Sequence, residues 1–476
     1  MSAHPRLRPS IGEAPWVSRR WRRVAPIAGI AVVVAVVGSV TVQSAVRAPK
    51  LDYKISKLDN GLTVVLSEDH STPVVHVEVW YQVGSKNERL GRTGFAHLFE
   101  HLMFKGSKNV QADQHLTFIS RVGGNGNAYT TEDATVFWQT VPSQYLPLVL
   151  WLEADRLATL RIDQRTLDAE RAVVKEERRW RIENNPFGSL EEIVYDHAFT
   201  AHPYKHTTIG SMEDLSAASI EDVRGFYDTY YVPANATVVI VGDIDPDDTQ
   251  QMVEHYLGRV PKARGEVPRD IPPEPPQDGE RRVTVEADNW PLPAVVVAHH
   301  ITYDGHPDAY PLHIAAKVLS DGQSARIYRR LVYAEQLAVQ AFGQGHIIED
   351  PNLFFAVAIV PAGRTTAAAE AALIDELERL KREPITGAEL QRSKNQFARD
   401  YVIGRMTNSQ KAAHLGHAAV IHQDITTADG EFEIFMNVTQ EDVQRVARTY
   451  FTDATRLVLT ILPRGSQSPG AGVISR

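Results

Sequence analysis

The feature that most constrains the fold of this chain is a sequence pattern that occurs twice at one fixed offset. Pro73 precedes a run of alternating valines, and Pro293 precedes a similar apolar run in the second part of the chain. Asp222 and Asp442 are separated by the same offset, and each opens a helical pattern that ends in two aromatic residues and leads into an apolar strand. Two pairs at one offset, with helix and strand in the same order, predict two copies of one domain.

A proline-rich segment separates the two copies. Positions 268, 272, 273, 275 and 276 are all proline, a residue that cannot continue a helix or occupy a central strand. We therefore predict a linker over residues 263–281, between domains at 51–262 and 282–466, and a flexible tail at 467–476. Strand and helix patterns mix in each copy without strict βαβ order, which predicts an α+β fold of two α/β-sandwich domains, each an antiparallel-rich sheet with helices on one face.

The first 50 residues differ in charge from the rest of the chain. They contain eight basic residues and one acid, so the remaining 42 basic and 58 acidic residues give the body a formal charge of -16. Residues 24–42 are uncharged, and 19 helical residues span roughly 28 Å, close to the roughly 30 Å core of a bilayer. We predict a cleaved signal peptide or an uncleaved membrane anchor, with a buried core helix as the alternative. Either form of export places the body in the periplasm or on the outer side of the inner membrane.

The composition excludes several kinds of chemistry. The chain has no cysteine, so a thiol nucleophile and a cysteine-bound metal are both ruled out, and any metal must be bound by histidines and carboxylates. The acidic body has no basic surplus with which to neutralise phosphates, so we expect no nucleic-acid partner.

The motif His97-Leu-Phe-Glu100-His101 is the most informative part of the sequence. Its two histidines are four residues apart and therefore share one face of a helix, about 5–6 Å apart. Two imidazoles at this spacing can occupy two corners of a tetrahedral metal site. A carboxylate beside them can act as general base for a metal-activated water. The alternative interpretation is a pair of solvent-facing histidines on an amphipathic helix.

A zinc site of this kind needs a third protein ligand and one open position. Residues 168–177 form a helical pattern in which Glu170 and Glu177 are two turns apart, hence on one face, while Glu176 points about 100° away. An ordinary charged helix is the alternative for this segment.

Several segments together resemble the pitrilysin family of zinc peptidases, whose H-x-x-E-H motif this sequence shares. The resemblance extends over about residues 51–463. It is carried by Asn60–Leu62, His97–Gly106, Gly123–Thr130, Glu153–Arg156, Glu170–Glu177 and His202–Tyr204.

The resemblance implies a fold of two similar α+β domains that form half of a clamshell. It also implies roles for individual residues in the first domain. His97, His101 and Glu177 would bind one Zn²⁺ per chain, Glu100 would be the general base and Glu170 an accessory catalytic residue behind the metal. Asn127 and Ala128 match an edge strand that binds the substrate peptide as an added β-strand.

The second copy departs from the motif. At the offset of the repeat, the three motif positions hold Lys317, Ser320 and Asp321, so we predict that this domain is inactive. The family's second domain often contributes an Arg and a Tyr to substrate binding. Arg326 matches the Arg, but Val339 stands where the Tyr is expected.

These observations predict a zinc-dependent endopeptidase that hydrolyses peptides or unfolded polypeptides. Because the Arg and Tyr pair is incomplete, we expect a homodimer, or a heterodimer with a homologous subunit that lacks H-x-x-E-H. The membrane would be a further partner if residues 24–42 are not cleaved. The alternative is a catalytically silent or partner-dependent subunit, related to processing peptidases, with a structural or binding role.

Overall fold

The structure, a computed structural model, describes residues 50–262 and 265–465 of the chain. The predicted signal or anchor at residues 24–42 and the predicted tail at 467–476 lie outside these ranges. Within the ranges, no helix is both long and apolar enough to cross a membrane. Below, the first half means residues 50–262 and the second half residues 265–465.

The first half contains a six-stranded sheet in the order β1-β2-β6-β3-β5-β4. Neighbouring strands are antiparallel except β2 and β6, which are parallel. The strands are β1 Lys54–Lys57, β2 Thr63–Glu68, β3 Val74–Tyr81, β4 Asn125–Thr130, β5 Thr135–Pro142 and β6 Ala236–Gly242. β4 therefore lies at one edge of the sheet.

The second half repeats this topology in five strands, in the order β7-β11-β8-β10-β9. Again one pair, β7 and β11, is parallel and the others are antiparallel. The strands are β7 Arg281–Ala287, β8 Ala294–His300, β9 Gln340–Gly345, β10 Leu353–Ile359 and β11 Arg456–Pro463. The starts of β3 and β8 are separated by the offset of the sequence repeat, as are the starts of β6 and β11, and this confirms the duplication. At the start of the second half, residues 265–280 form neither helix nor strand. The exact domain limits stay a prediction.

Capping residues account for part of the repeat pattern in the helices. Asp222 and Asp442 each occupy the third position of a helix and complete a capping box, with Ser219 and Thr439 respectively.

The helices of the first half are α1 Phe95–Leu102, α2 Gln114–Arg121, α3 Leu146–Thr159, α4 Gln164–Arg178, α5 Leu190–Ala198, α6 Met212–Ala217, α7 Ile220–Tyr230 and α8 Pro246–Tyr256. Those of the second half are α9 Ala309–Ser320, α10 Thr366–Arg382, α11 Gly387–Ile403, α12 Asn408–Val420, α13 Thr427–Asn437 and α14 Gln440–Tyr450.

Each sheet is covered on one face by helices of its own half and on the other by a helix of the opposite half. Helix α12 packs on the first sheet, where Leu415 contacts a buried cluster that includes Val65, Trp80 and Val239. Helix α5 packs on the second sheet in the same way. Burial on both faces explains why strands such as β6 and β10 are continuous apolar runs. This exchange of helices holds the two halves together. Burying one side chain such as Leu415 in the contact stabilises the folded protein by about 1.5–3 kcal/mol.

The contact between α12 and the first sheet leaves no room for a side chain at Gly416. A Cβ there would lie 2.3 Å from Nε1 of Trp80, whose indole donates to buried Glu78. We expect Gly416→Ala to lower the free energy of unfolding by about 1–3 kcal/mol, measured by urea unfolding. Gly430 of helix α13 is the matched control, since its Cβ would meet nothing within 4 Å. Gly430→Ala should leave stability unchanged or raise it by up to about 1 kcal/mol. Equal stability of Gly416→Ala and wild type would contradict this packing.

Candidate metal centre

Helix α1, which carries the histidine motif, begins at a tightly held turn. Gly94 has φ 87°, a left-handed conformation, and a Cβ there would lie 2.7 Å from the carbonyl oxygen of Ile209. The buried carboxylate of Glu88 accepts hydrogen bonds from the backbone N–H groups of Gly94 and Ala96, both at 2.8 Å. These contacts satisfy free N–H groups at the helix start and set the direction in which the motif points.

Helix α4 packs against α1 and supplies the acidic residues. Asp163 caps the start of this helix, because its carboxylate accepts a hydrogen bond from the backbone N–H of Thr166 at 2.9 Å. Beyond Arg178 the chain continues as one π-helical turn, Arg179–Glu183, a distortion that often occurs at functional sites. Arg181 in this turn places its guanidinium 2.9 Å from Oε1 of Glu177.

His97, His101 and Glu177 converge on one point. Oε2 of Glu177 lies 3.4 Å from Nε2 of His101 and 3.8 Å from Nε2 of His97. The three possible ligand atoms all lie within 4.8 Å of one another. A tetrahedral zinc ion with bonds of about 2.0–2.2 Å separates its ligand atoms by roughly 3.3–3.6 Å. Two imidazoles and one carboxylate at these distances therefore fit a zinc ion and leave a fourth position open.

The charges of the three residues also suit a metal. Burial, assisted by His101, lowers the pKa of His97 to about 4, so its imidazole is neutral and has a lone pair. The hydrogen bond with His101 lowers the pKa of Glu177, which is therefore ionised. Burial opposes protonation of His101, but the neighbouring carboxylates of Glu170 and Glu177 outweigh it and raise its pKa to about 9. Metal binding must therefore displace a proton from His101.

Glu170 lies behind His101 rather than among the converging atoms. Its Oε2 is 3.5 Å from Nδ1 of His101, and its Oε1 is 3.1 Å from Nζ of Lys105. Burial favours the neutral acid, but the hydrogen bonds from His101 and Lys105 outweigh it and lower the pKa of Glu170. A carboxylate in this place orients the imidazole, so that the other ring nitrogen faces Glu177.

Glu100 sits beside the three converging residues without belonging to them. Its Oε2 accepts a hydrogen bond from the hydroxyl of Thr130, at the end of strand β4, over 2.7 Å. Burial raises the pKa of Glu100 above its usual value. A carboxyl whose pKa is moved towards neutrality is better matched to accept and return a proton.

The predicted substrate-binding residues lie in two different places. Asn127 and Ala128 are in edge strand β4, which pairs with β5 on one side and packs on helix α1. Arg326 is in the second half, where Nε and Nη2 donate to the two carboxylate oxygens of Glu389 at 2.7 and 2.9 Å. It is not among the groups that meet His97 and His101. Val339 is 53% exposed and immediately precedes edge strand β9.

Three neighbours of the centre had no role in the sequence prediction. Thr130 and Lys105 lie in the segments that carried the family resemblance, but nothing in their spacing indicated contacts with Glu100 and Glu170. Arg181 follows Glu177 by four residues, the spacing of an ion pair on a helix, and this spacing could have identified it.

Comparison with known proteins identifies the family. Residues 63–211 match the family described as Insulinase (Peptidase family M16), and residues 217–397 match the Peptidase M16 inactive domain. The zinc protease PqqE of Helicobacter pylori is 32% identical over 411 residues, which cover 85% of this chain and 92% of that protein. YmxG of Bacillus subtilis, named an uncharacterized zinc protease, is 24% identical over 407 residues, 86% of this chain and 97% of that protein.

The fold agrees with the sequence comparison. The crystal structure of a protease from Helicobacter pylori superposes with a TM-score of 0.83 at 31% identity and covers 87% of this chain and 100% of that one. The chain therefore belongs to peptidase family M16, which confirms the resemblance to the pitrilysin family and its fold of two homologous domains forming half of a clamshell. Because its relatives are named zinc proteases, zinc is the metal that the family implies.

Proposed function

We propose that this protein is a zinc-dependent endopeptidase that hydrolyses peptides or unfolded polypeptides. The observation that carries the proposal is the convergence of His97, His101 and Glu177, with the carboxylate of Glu100 alongside. Zinc, when bound there, would supply Lewis acidity that activates water and polarises the scissile carbonyl. Membership of a family whose relatives are named zinc proteases supports this choice of metal.

The chain's own residues would divide the remaining work. Glu100 would accept a proton from the attacking water and pass it to the leaving amine, and Thr130 would hold its carboxylate in position. Glu170 would orient His101 through Nδ1, and Lys105 would balance its charge. The half-buried side chains of His101 and Glu177, 22% and 18% exposed, leave the centre accessible to a peptide.

The substrate would bind as a strand added to the outer edge of β4, beside Asn127 and Ala128. Main-chain hydrogen bonds supply affinity in this mode with little demand on side-chain sequence, which suits an enzyme for unfolded chains. Arg326 remains a predicted substrate-binding residue. Its two hydrogen bonds to Glu389 would have to be exchanged or shared for its guanidinium to reach a substrate.

The alternative is a catalytically silent or partner-dependent subunit with a structural role. The match of the second half to a domain described as inactive favours a supporting role for that half. Lys317 stands at the position of His97 in the repeat, and its Nζ lies 3.1 Å from Oδ2 of Asp321. The intact geometry of the first half favours the active enzyme.

A partner subunit could supply the substrate-binding Tyr that the second half lacks. With Val339 in place of the expected Tyr, we propose a homodimer or a heterodimer with a homologous chain lacking H-x-x-E-H. Protein isolated from its native host with a co-purifying homologous chain should cleave casein at least about tenfold faster per zinc-bearing chain than protein purified alone, since one lost contact of about 1.4 kcal/mol in the transition state has this effect. Equal rates would contradict the need for a heterologous partner.

The charge pattern supports an exported protein. We propose that the basic residues before position 24 stay in the cytoplasm and that the acidic body lies outside it, in the periplasm or attached to the inner membrane. Cell fractionation with an antibody to the body checks this proposal, and recovery of the whole protein in the cytoplasm would contradict it.

A further inference from the structure

A second cluster of two histidines and one carboxylate lies in the second half. Asp304 is in the loop between β8 and α9, His417 is in the last turn of α12, and His422 follows the end of that helix. Their possible ligand atoms all lie within 4.8 Å of one another. Among the described residues, this cluster and the group around His97 are the two with such an arrangement.

The two imidazoles of the cluster face the same carboxylate oxygen. Oδ2 of Asp304 lies 3.4 Å from Nε2 of His417 and 3.0 Å from Nε2 of His422. These distances are close to the roughly 3.3–3.6 Å between ligand atoms of a tetrahedral zinc ion. They are also slightly shorter than the corresponding 3.4 and 3.8 Å around Glu177.

A hydrogen-bond chain fixes the orientation of His422. The hydroxyl of Thr427 donates its one proton to the carbonyl oxygen of Asp424 at 2.8 Å. The same hydroxyl oxygen lies 2.7 Å from Nδ1 of His422 and must therefore accept the proton of Nδ1–H. In the neutral ring, Nε2 then carries the lone pair, which is the arrangement of a metal-binding histidine held by an outer hydrogen bond.

Nε2 of His422 makes no geometric hydrogen bond among the described residues, and the carboxylate of Asp304 is the acidic group that it faces. The side chain is only 5% exposed, and Nε2 is buried 3.0 Å from Oδ2 of Asp304. A lone pair facing a carboxylate oxygen at 3.0 Å is repulsive unless a cation lies between them. A proton on Nε2 of His422 would link Asp304 to that imidazole alone, whereas a metal ion would bind Asp304 and both imidazoles at once.

We propose that Asp304, His417 and His422 bind a second divalent transition-metal ion, Zn²⁺ in the first instance. Two imidazoles and one carboxylate suit zinc and its neighbours in the transition series rather than Mg²⁺ or Ca²⁺, which prefer oxygen ligands throughout. The side chain of His417 is 43% exposed, so an ion can enter from solvent and keep a water as fourth ligand. The predicted metal content rises from one ion per chain to two.

The position of this site gives the ion a structural role. The backbone N–H of Asp304 donates to the carbonyl oxygen of Ile348 at 2.7 Å, in the loop that joins strands β9 and β10 of the second sheet. Helix α12, which ends beside the other two ligands, covers the outer face of the first sheet. The ion would therefore fasten the helix that covers one sheet to a loop of the other.

Metal analysis of the full-length, tag-free chain tests the proposal. After equilibration with Zn²⁺ and desalting, we expect two zinc ions per chain in the wild type, one in His97→Gln, one in His422→Gln and none in the double variant. His414→Gln is the matched control, because His414 lies on the same helix but outside the cluster and should leave two ions bound. One ion in the wild type and none in His97→Gln would overturn the proposal, whatever the activity of the first site.

A second measurement guards against a variant that folds poorly. In the His97→Gln background, Co²⁺ should produce the visible absorption bands of a four-coordinate site, and Zn²⁺ should raise the unfolding temperature. Adding Asp304→Asn, a change of nearly equal size, should abolish both effects. Absorption bands or a temperature rise that survive Asp304→Asn would show that the metal lies elsewhere and would overturn the assignment.

Discussion

Replacing Glu100 with glutamine is expected to abolish peptide hydrolysis and to leave the zinc content at the wild-type level. The amide cannot accept a proton from water, so kcat should fall by about 10²–10⁴-fold. Zinc should remain because Glu100 is not one of the three converging residues. The amide oxygen can still accept the hydrogen bond from Thr130, so the shape of the site is preserved.

The matched control for this variant is Glu176→Gln. Glu176 is on the neighbouring helix, its side chain is 70% exposed, and it pairs with Arg179 at the surface. This change should leave both turnover and zinc content within about twofold, as is usual for surface substitutions. If Glu100→Gln retained turnover within tenfold of the wild type, Glu100 would not be the general base.

Replacing Glu177 with alanine is expected to empty the first metal site and, with it, to remove hydrolysis. Oε2 of Glu177 is the atom that both imidazoles face, and its loss leaves two neutral ligands and no anion. We expect zinc at this site to fall well below half occupancy after desalting. Measured in the His422→Gln background, the zinc content reports this site alone.

Two neighbouring acids on the same helix calibrate the Glu177 result. Glu170→Gln removes the negative charge beside Nδ1 of His101 but no metal ligand, so zinc affinity should fall by about 10–100-fold. Glu176→Ala should have no effect on zinc. Normal zinc content in Glu177→Ala, together with loss in Glu176→Ala, would move the third ligand to Glu176.

The local part of the candidate site could be predicted from the sequence because it depends on helical spacing. His97, Glu100 and His101 lie within a turn and a half of helix α1, and any α-helix places the first and last of them on one face. The choice of Glu177 needed the family resemblance, since helix spacing alone says nothing about which acidic helix packs on α1. The structure brings Glu177 to the two histidines and turns Glu170 to the far side of His101.

The repeat predicted the fold for a similar reason. The fixed offset between Pro73 and Pro293 indicates that the two copies have their strands in the same order along the chain. The two sheets share that order over five strands. The covering of each sheet by a helix from the other half had no local signal, because α12 and β6 are far apart along the chain and meet only in the folded protein. The cluster of Asp304, His417 and His422 was not predicted for the same reason. Asp304 is far from the two histidines in sequence, and only the fold brings the three together.

A zinc peptidase must lose its activity together with its metal, and the rate of casein cleavage by the purified wild-type protein measures this loss as zinc is removed and returned. Protein shown to be zinc-free by metal analysis should cleave nothing, and cleavage should return as Zn²⁺ is added back. The His97→Gln variant, given the same zinc, should stay inactive. Unchanged cleavage by protein verified as zinc-free would contradict the assignment of this chain as a zinc peptidase.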